Sequence, residues 1–168
     1  GRGYTILEDK NGNKIALIYL QGRVFMSAVD CPFITAKKFI AVISKTIKNI
    51  IIDLHAEATS EKIALGKYLV GEVSLVYGTH THVQTADERI LANGSGYISD
   101  IGMTGSQNGV IGTNAETIIK KFLTSLPQKF EVAEGDEQLS GIEVEIDEET
   151  GKCKKIKRIN WSENEGFR

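Results

Sequence analysis

The sequence predicts an α/β fold in which strands and helices alternate along the chain. Two apolar runs rich in β-branched residues, 50–52 and 73–77, are typical of buried strands, and a helical pattern precedes each of them. This order indicates an α/β layer, whose functional loops follow the ends of its strands. With 168 residues, the chain is long enough to form one domain with a proper core.

The first half of the chain contains most of this alternation. Strands are predicted over 4–7 and 14–20, joined by Asn11-Gly12, a hairpin signal because both residues tolerate positive φ. Apolar residues recur at helical spacing over 36–47, and the lysines between them are expected to form a solvated face. Thr59-Ser60-Glu61 supplies N-cap residue types for a second helix that ends near residue 70.

The second half is richer in strands. Short strands are predicted at 90–91 and 97–100, and Asn114 is a candidate N-cap for a helix that ends before Pro127. A terminal set of antiparallel strands is predicted at the remaining apolar runs, with the last two joined across Glu149-Thr150-Gly151: 129–132, 141–147 and 154–161.

Composition narrows the classes of function. The chain is 41% hydrophobic and 25% charged, as in ordinary globular proteins, and its net charge of −2 offers no basic patch for nucleic acid. Its apolar runs are shorter than a membrane span, and no signal peptide opens it. Cys31 and Cys153 are expected to be free thiols, and nothing in the neighbouring sequence indicates a lowered pKa for Cys31. These features predict a cytoplasmic protein without a membrane partner.

All three histidines lie in two short segments, 53–57 and 78–82, each directly after a predicted strand. In an extended chain, residues two apart point to the same side, about 7 Å apart. His80 and His82 could therefore serve one metal ion, or each could serve one of two ions. Neutral imidazole suits zinc, iron, manganese or copper. We therefore expect His55, His80 and His82 to be metal ligands at the strand ends.

The polar residues around the histidines have two interpretations each. Asp53 could accept a hydrogen bond from a metal-bound imidazole, or it could bond to backbone at the strand end. Asp100 could also support the metal site or could serve as a turn residue. Thr79 and Thr81 are expected to have structural roles, and Glu57 is expected to belong to the loop that leads into the second helix.

The segment Gly78-Thr79-His80-Thr81-His82 resembles the Gly-x-His-x-His motif of the calcineurin-like metallophosphoesterases. The resemblance extends in order along essentially the whole chain. The chain most resembles the bacterial YmdB-like phosphodiesterase family. It rests on segments 20–23, 30–33, 53–62, 78–87, 100–105 and 122–127. This resemblance implies a two-sheet sandwich flanked by helices.

The resemblance also implies a function. His55 and His80 would bind one metal ion and His82 a second, with iron or manganese expected and zinc possible. Such a site hydrolyses phosphodiesters, especially 2′,3′-cyclic nucleotides, with a hydroxide activated by two metal ions. A non-enzymatic domain in which the three histidines hold one structural metal ion is the alternative.

Other parts of the family pattern have no match here: a strand-end aspartate, a bridging glutamate and an Asn-His pair. Residues 1–168 are therefore expected to be the C-terminal part of a single metallophosphoesterase domain, lacking roughly the first hundred residues of that domain. The general acid would lie in that part, so no residue here is assigned as catalytic and the isolated chain is expected to be inactive. Association with the absent segment or with a second copy is expected to cover the exposed sheet edge.

Overall fold

The computed structural model describes residues 2–167, and its larger sheet has six strands. The strands stand in the order first, second, third, fourth, sixth, fifth. Their bounds are β1 (Tyr4–Glu8), β2 (Lys14–Gln21), β3 (Asn49–His55), β4 (Leu75–Thr79), β5 (Arg89–Ile90) and β6 (Gly96–Ile98). The predicted strands 4–7, 14–20 and 50–52 are confirmed, whereas the predicted strand 73–77 is shifted by two residues toward the histidines.

Four neighbouring strands of this sheet, β2, β3, β4 and β6, run parallel, so their carboxyl ends meet at one edge. The register pairs Gln21 with His55 and His55 with Thr79 at that edge. The antiparallel strands β1 and β5 close the two sides. The topology thus brings the two histidine segments together, although 25 residues separate His55 from His80 in sequence.

Among residues 2–167, three α-helices accompany the sheets: α1 (Pro32–Ile43), α2 (Thr59–Tyr68) and α3 (Ala115–Thr124). The first begins earlier than predicted because Pro32 occupies its first turn, and it ends before Ile47, which is still buried. The prediction of an N-cap at 59–61 is wrong: Ala58 stands at the cap without a side-chain bond. The predicted cap at Asn114 is confirmed by its bond from the Thr117 amide.

A second sheet contains four antiparallel strands, β7 (Thr104–Ser106), β8 (Glu137–Ile146), β9 (Cys153–Ser162) and β10 (Gly166–Phe167), in that order. The predicted hairpin across 149–151 is confirmed, although β8 begins four residues earlier than expected. The prediction of a strand at 129–132 is wrong, because this stretch pairs only through one isolated bridge. The two sheets and their helices confirm the predicted α/β architecture.

The main core lies on the larger sheet, where Ile18, Ile52 and Leu54 are fully buried against apolar residues of α1 and α2. Burial of this kind supplies most of the folding free energy and holds the strand ends in fixed positions. Within residues 2–167, no helix is long and apolar enough to cross a membrane.

Candidate metal centre at the strand ends

The ends of β3 and β4 bring two of the predicted ligands together. His55 Nε2 lies 3.0 Å from His80 Nδ1, and the two rings meet edge to face with their centroids 4.7 Å apart. His55 ends its strand, whereas His80 follows its strand in a turn with φ of 101°. The turn folds the second imidazole back over the first.

The other nitrogen of His55 is held by a chain of hydrogen bonds. Thr79 Oγ1 donates to Asp53 Oδ1 at 2.8 Å, so it is free to accept from His55 Nδ1 at 3.2 Å. Asp53 therefore supports His55 through Thr79. In this bond Asp53 accepts from a side chain and not from the backbone. Thr79 orients the imidazole of His55, a contact that the structural role expected from the sequence did not specify.

Glu57 holds the other nitrogen of His80. Its Oε2 lies 3.0 Å from His80 Nε2, although the sequence placed this residue only in the loop that leads into α2. A carboxylate two residues after a strand-end histidine is the signal that could have found it. Metal-binding histidines commonly donate their second ring N–H to such a carboxylate.

These contacts fix the tautomers of the pair. Because Glu57 can only accept and Thr79 already donates elsewhere, the hydrogens of neutral His55 and His80 lie on Nδ1 and Nε2, respectively. The two nitrogens that face each other at 3.0 Å then both present lone pairs. Such an arrangement is repulsive unless a proton or another cation lies between the rings.

A metal ion fits this requirement. Two imidazole nitrogens bound to one zinc-sized ion at about 2.0–2.1 Å, with an angle between 90° and the tetrahedral value, stand about 2.9–3.4 Å apart. The observed separation of 3.0 Å falls in that interval. The donor set also fits, because both nitrogens that would face the ion are unprotonated and both opposite nitrogens are hydrogen-bonded.

The third predicted ligand, His82, has different surroundings. Its Nδ1 lies 3.0 Å from the Ile111 carbonyl oxygen, and its side chain is exposed. Nδ1 therefore donates, which leaves Nε2 as an acceptor facing away from that carbonyl. No group of three or more histidine, cysteine, aspartate or glutamate side chains in residues 2–167 could hold a metal ion. The structure thus joins His55 and His80 and does not add His82 to them.

The surroundings of His55 favour the neutral form of its imidazole. Burial lowers the pKa of His55 below its usual range, and the neighbouring His80 lowers it further. Burial raises the pKa of Asp53, although its bond from Thr79 opposes that effect. Neutral imidazole is the ligating form, so these surroundings favour cation binding.

Asp100 does not touch an imidazole in this structure. It is buried, and its Oδ2 lies 2.8 Å from Lys62 Nζ and 2.8 Å from Thr81 Oγ1. Neither support of a metal site nor a turn role fully describes Asp100. It is the buried partner of Lys62 in an ion pair, and it also holds Thr81, which lies between His80 and His82. Lys62 was missed, yet its helical spacing with Leu65 and Leu69 places it on the buried face of α2.

The loop after β2 lies beside His55, and Glu61 of α2 holds it there. The Gly22 amide donates to the His55 carbonyl oxygen at 2.9 Å, and the Glu61 carboxylate accepts from the Arg23 amide at 3.0 Å and from the Val24 amide at 3.3 Å. Glu61 is buried and turns toward this loop, so it does not cap α2. It fixes the segment that adjoins His55.

The pKa of Cys31 is lowered, although nothing in the neighbouring sequence was expected to lower it. Backbone amides at the start of α1, those of Ile34 and Phe33, lower the pKa of this thiol, and Arg23 adds to the effect. Pro32 directly after the cysteine marks a helix N-terminus and could have indicated this. The expectation of two free thiols is confirmed, and burial raises the pKa of Cys153.

Asp87 ties the segment after His82 to the end of β6. Its carboxylate accepts from the Ser99 amide at 3.0 Å and from the hydroxyls of Ser99 and Thr85, each at 2.6 Å. Burial raises the pKa of Asp87, but the bonds from Ser99 and Thr85 outweigh it and leave the pKa below its usual range. This carboxylate is therefore ionised at neutral pH.

Comparisons with known proteins find relatives that match nearly the whole chain. A 2′,3′-cyclic-nucleotide 2′-phosphodiesterase of Bacillus subtilis (strain 168) is 52% identical over 167 residues, which are 99% of this chain and 63% of the relative. A crystal structure of a hypothetical protein from Thermus thermophilus superposes with a TM-score of 0.89 at 37% identity, covering 96% of this chain and 62% of that one. A novel phosphatase of Mycoplasma pneumoniae superposes with a TM-score of 0.86 at 36% identity, covering 96% and 58%.

The chain thus spans about three fifths of the length of the relatives it matches. The sequence model of the family described as YmdB-like protein matches residues 1–159, which is nearly the whole chain. Identity, coverage and fold all lead to the same assignment, and this chain belongs to the YmdB-like protein family.

Proposed function

We propose that this chain is part of a metal-dependent phosphodiesterase that hydrolyses phosphodiesters, with 2′,3′-cyclic nucleotides as its substrate class. The observation that carries the proposal is the 3.0 Å separation of His55 Nε2 and His80 Nδ1, to which the neighbours Thr79 and Glu57 assign two opposed lone pairs. The B. subtilis relative, whose name specifies that substrate class, supports the choice of substrate. We propose two metal ions, iron or manganese, with zinc as a further candidate.

The chain's own residues would hold and orient the first ion. His55 and His80 would each present one lone pair, while Thr79 and Glu57 keep the hydrogens on the opposite nitrogens. His82 would present Nε2 to the second ion. Metal ions bound in this way supply an activated water nucleophile and neutralise the charge that develops on the phosphoryl oxygens.

Two histidines leave most coordination positions of a metal ion unfilled, and residues 2–167 hold no group of three suitable side chains. We therefore propose that activity needs further ligands and a general acid from outside this chain. The longer relatives support this division, since the chain matches 63% of the B. subtilis protein. The isolated 168-residue chain is then expected to be inactive, and turnover of 2′,3′-cAMP by it would contradict this point.

The test is hydrolysis of 2′,3′-cAMP by the full-length gene product after chelation and after addition of Mn²⁺, Fe²⁺ or Zn²⁺. Activity should disappear on chelation and return with one of these ions. His80→Ala should lower kcat/KM by at least about 100-fold, because a ligand contributes no less than the groups that support it. Lys38→Ala, at an exposed position of α1, is the control and should retain full activity.

Metal stoichiometry separates this function from a non-enzymatic domain. A hydrolase should bind two ions per full-length chain and should lose both phosphodiesterase activity and one ion in His80→Ala. One tightly held zinc ion without turnover would instead favour the structural three-histidine site, and the proposed function would then be wrong.

A further inference from the structure

The segment that carries His80 and His82 has an unusual backbone. His80 has φ of 101° and His82 has φ of 64°, so two non-glycine residues adopt positive φ on either side of Thr81. This region is disfavoured for residues with a Cβ, and such residues persist only where the surrounding structure holds them. The turn therefore needs an external restraint.

Asp100 supplies that restraint at the central residue of the turn. Its Oδ2 accepts from the Thr81 amide at 3.1 Å and from Thr81 Oγ1 at 2.8 Å. Its Oδ1 accepts from the Gly102 amide at 2.9 Å, which fixes the orientation of the carboxylate. Both strong donors of Thr81 thus converge on one oxygen, midway between the two histidines.

Lys62 holds the same oxygen from the opposite direction. Its Nζ lies 2.8 Å from Asp100 Oδ2, and the side chains of Lys62 and Asp100 are each 1% exposed. A buried ion pair gains little net stability over apolar side chains of the same volume, because both charges lose their hydration. The distinctive effect of this pair is to keep a carboxylate immobile beneath Thr81.

The route of Lys62 to Asp100 depends on Gly78. A Cβ at Gly78 would lie 2.7 Å from Lys62 Cδ, so the lysine stem passes over the glycine at the end of β4. The clamp formed by Lys62 and Asp100 is therefore packed as one unit with the strand end. A shift of one would move the other.

We propose that Lys62 and Asp100 are positioning residues that act through Thr81, fixing the turn that places His80 and His82 for metal binding. This inference rests on the proposed function and deepens it. The buried ion pair touches no imidazole, yet it would fix the geometry of two candidate ligands, His80 and His82.

The test uses Thr81→Val in the full-length gene product, because valine is close to threonine in volume and lacks the hydroxyl that donates to Asp100 at 2.8 Å and lies 3.5 Å from the Val83 carbonyl oxygen. Thr81→Ser restores a hydroxyl and should rescue the defect. Ser95→Ala is the matched control: it removes a buried hydroxyl that bonds to Val73 and Gly71, at the opposite end of β4.

Three measurements apply to each variant: the affinity for Co²⁺ by titration, the d–d absorption spectrum of the Co²⁺-loaded protein, and kcat and KM for 2′,3′-cAMP. Thr81→Val should weaken Co²⁺ binding about 10-fold, alter the spectrum and lower kcat with little change in KM. Thr81→Ser should resemble the wild type. Ser95→Ala should lower the melting temperature and leave affinity, spectrum and kcat unchanged.

A Thr81→Val protein with wild-type affinity, spectrum and kcat would overturn the proposal, whatever its melting temperature. Amide hydrogen exchange of residues 80–82 in the metal-free protein tests the clamp separately: Thr81→Val should exchange about 10-fold faster and Ser95→Ala should not. If the wild type binds no Co²⁺ and hydrolyses nothing, the proposed function fails and the role in metal positioning fails with it. Unchanged exchange in Thr81→Val would refute the clamp itself.

Discussion

Replacing Gly78 with alanine would place a methyl group 1.9 Å from the carbonyl oxygen of Ser99, at the end of β4. Real Cβ atoms do not approach other atoms closer than 3.0 Å, so β4 would have to move by about 1 Å. The Gly78 carbonyl also accepts from the Ile101 amide at 3.0 Å, which limits how the backbone can yield. The displaced atoms lie two residues from His80.

The magnitude follows from this geometry. Insertion of a methyl group into a packed interior costs about 1–3 kcal/mol, and a clash with backbone belongs at the upper end of that interval. A misplacement of about 1 Å at reacting groups can lower kcat about 100-fold. Gly78→Ala should therefore lower the free energy of unfolding by about 3 kcal/mol and lower kcat for 2′,3′-cAMP by about 100-fold.

The assays are urea denaturation and steady-state kinetics on the full-length gene product. Gly141→Ala is the matched control, since a Cβ at this β8 position meets no atom within 4 Å and the same residue is introduced. A Gly78→Ala protein with the midpoint and kcat of Gly141→Ala would refute the reasoning. It would mean that β4 and β6 are not as closely packed as the distances indicate.

Three further predictions concern the groups around the site. The pKa of Asp87 is lowered, so its ionised carboxylate stabilises the fold above pH about 4, and this contribution is lost as the pH falls through the lowered pKa. Asp87→Asn should therefore be less stable than the wild type in urea denaturation at pH 7, and the difference should narrow in acid. Glu61→Ala removes the carboxylate that accepts from the amides of Arg23 and Val24 and should cost about 1–3 kcal/mol in the same assay, with part recovered in Glu61→Gln. Iodoacetamide should modify Cys31 before Cys153, as peptide mass mapping would show, and equal rates would contradict the pKa directions.

The central strands could be predicted because their signal is local. Residues 50–52 form a continuous apolar run, as expected of a parallel strand that is covered on both faces. The cap at Asn114 was also predictable, since its bond to the Thr117 amide spans only three residues. In contrast, β7 and β10 have only three and two residues and exist because a long strand lies beside them.

The candidate site was predictable to a similar degree. Residue type and strand-end position identified His55 and His80, but the groups that orient them depend on tertiary contacts. Glu57 reaches the far side of His80 only because the turn after β4 has positive φ, which no sequence pattern indicated. Lys62 approaches Asp100 across 38 residues of sequence, and only the packing of α2 brings them together.

The hydrogen bonds of His55 and His80 differ from those expected of buried structural histidines. A buried structural histidine would have both ring nitrogens paired, because an unpaired polar group loses its hydration without compensation. Here His55 Nδ1 and His80 Nε2 each donate to an oxygen acceptor, and the two nitrogens that face each other find no donor among residues 2–167. His82 is exposed, so water can reach the ring nitrogen that does not bond to Ile111, and this ring does not bear on the distinction. A ring held on one side by an acceptor and left basic on the other is in the state that a metal ion requires. The same arrangement recurs at both rings with two acceptors from different segments, Thr79 at the end of β4 and Glu57 before α2, so it does not follow from one local turn.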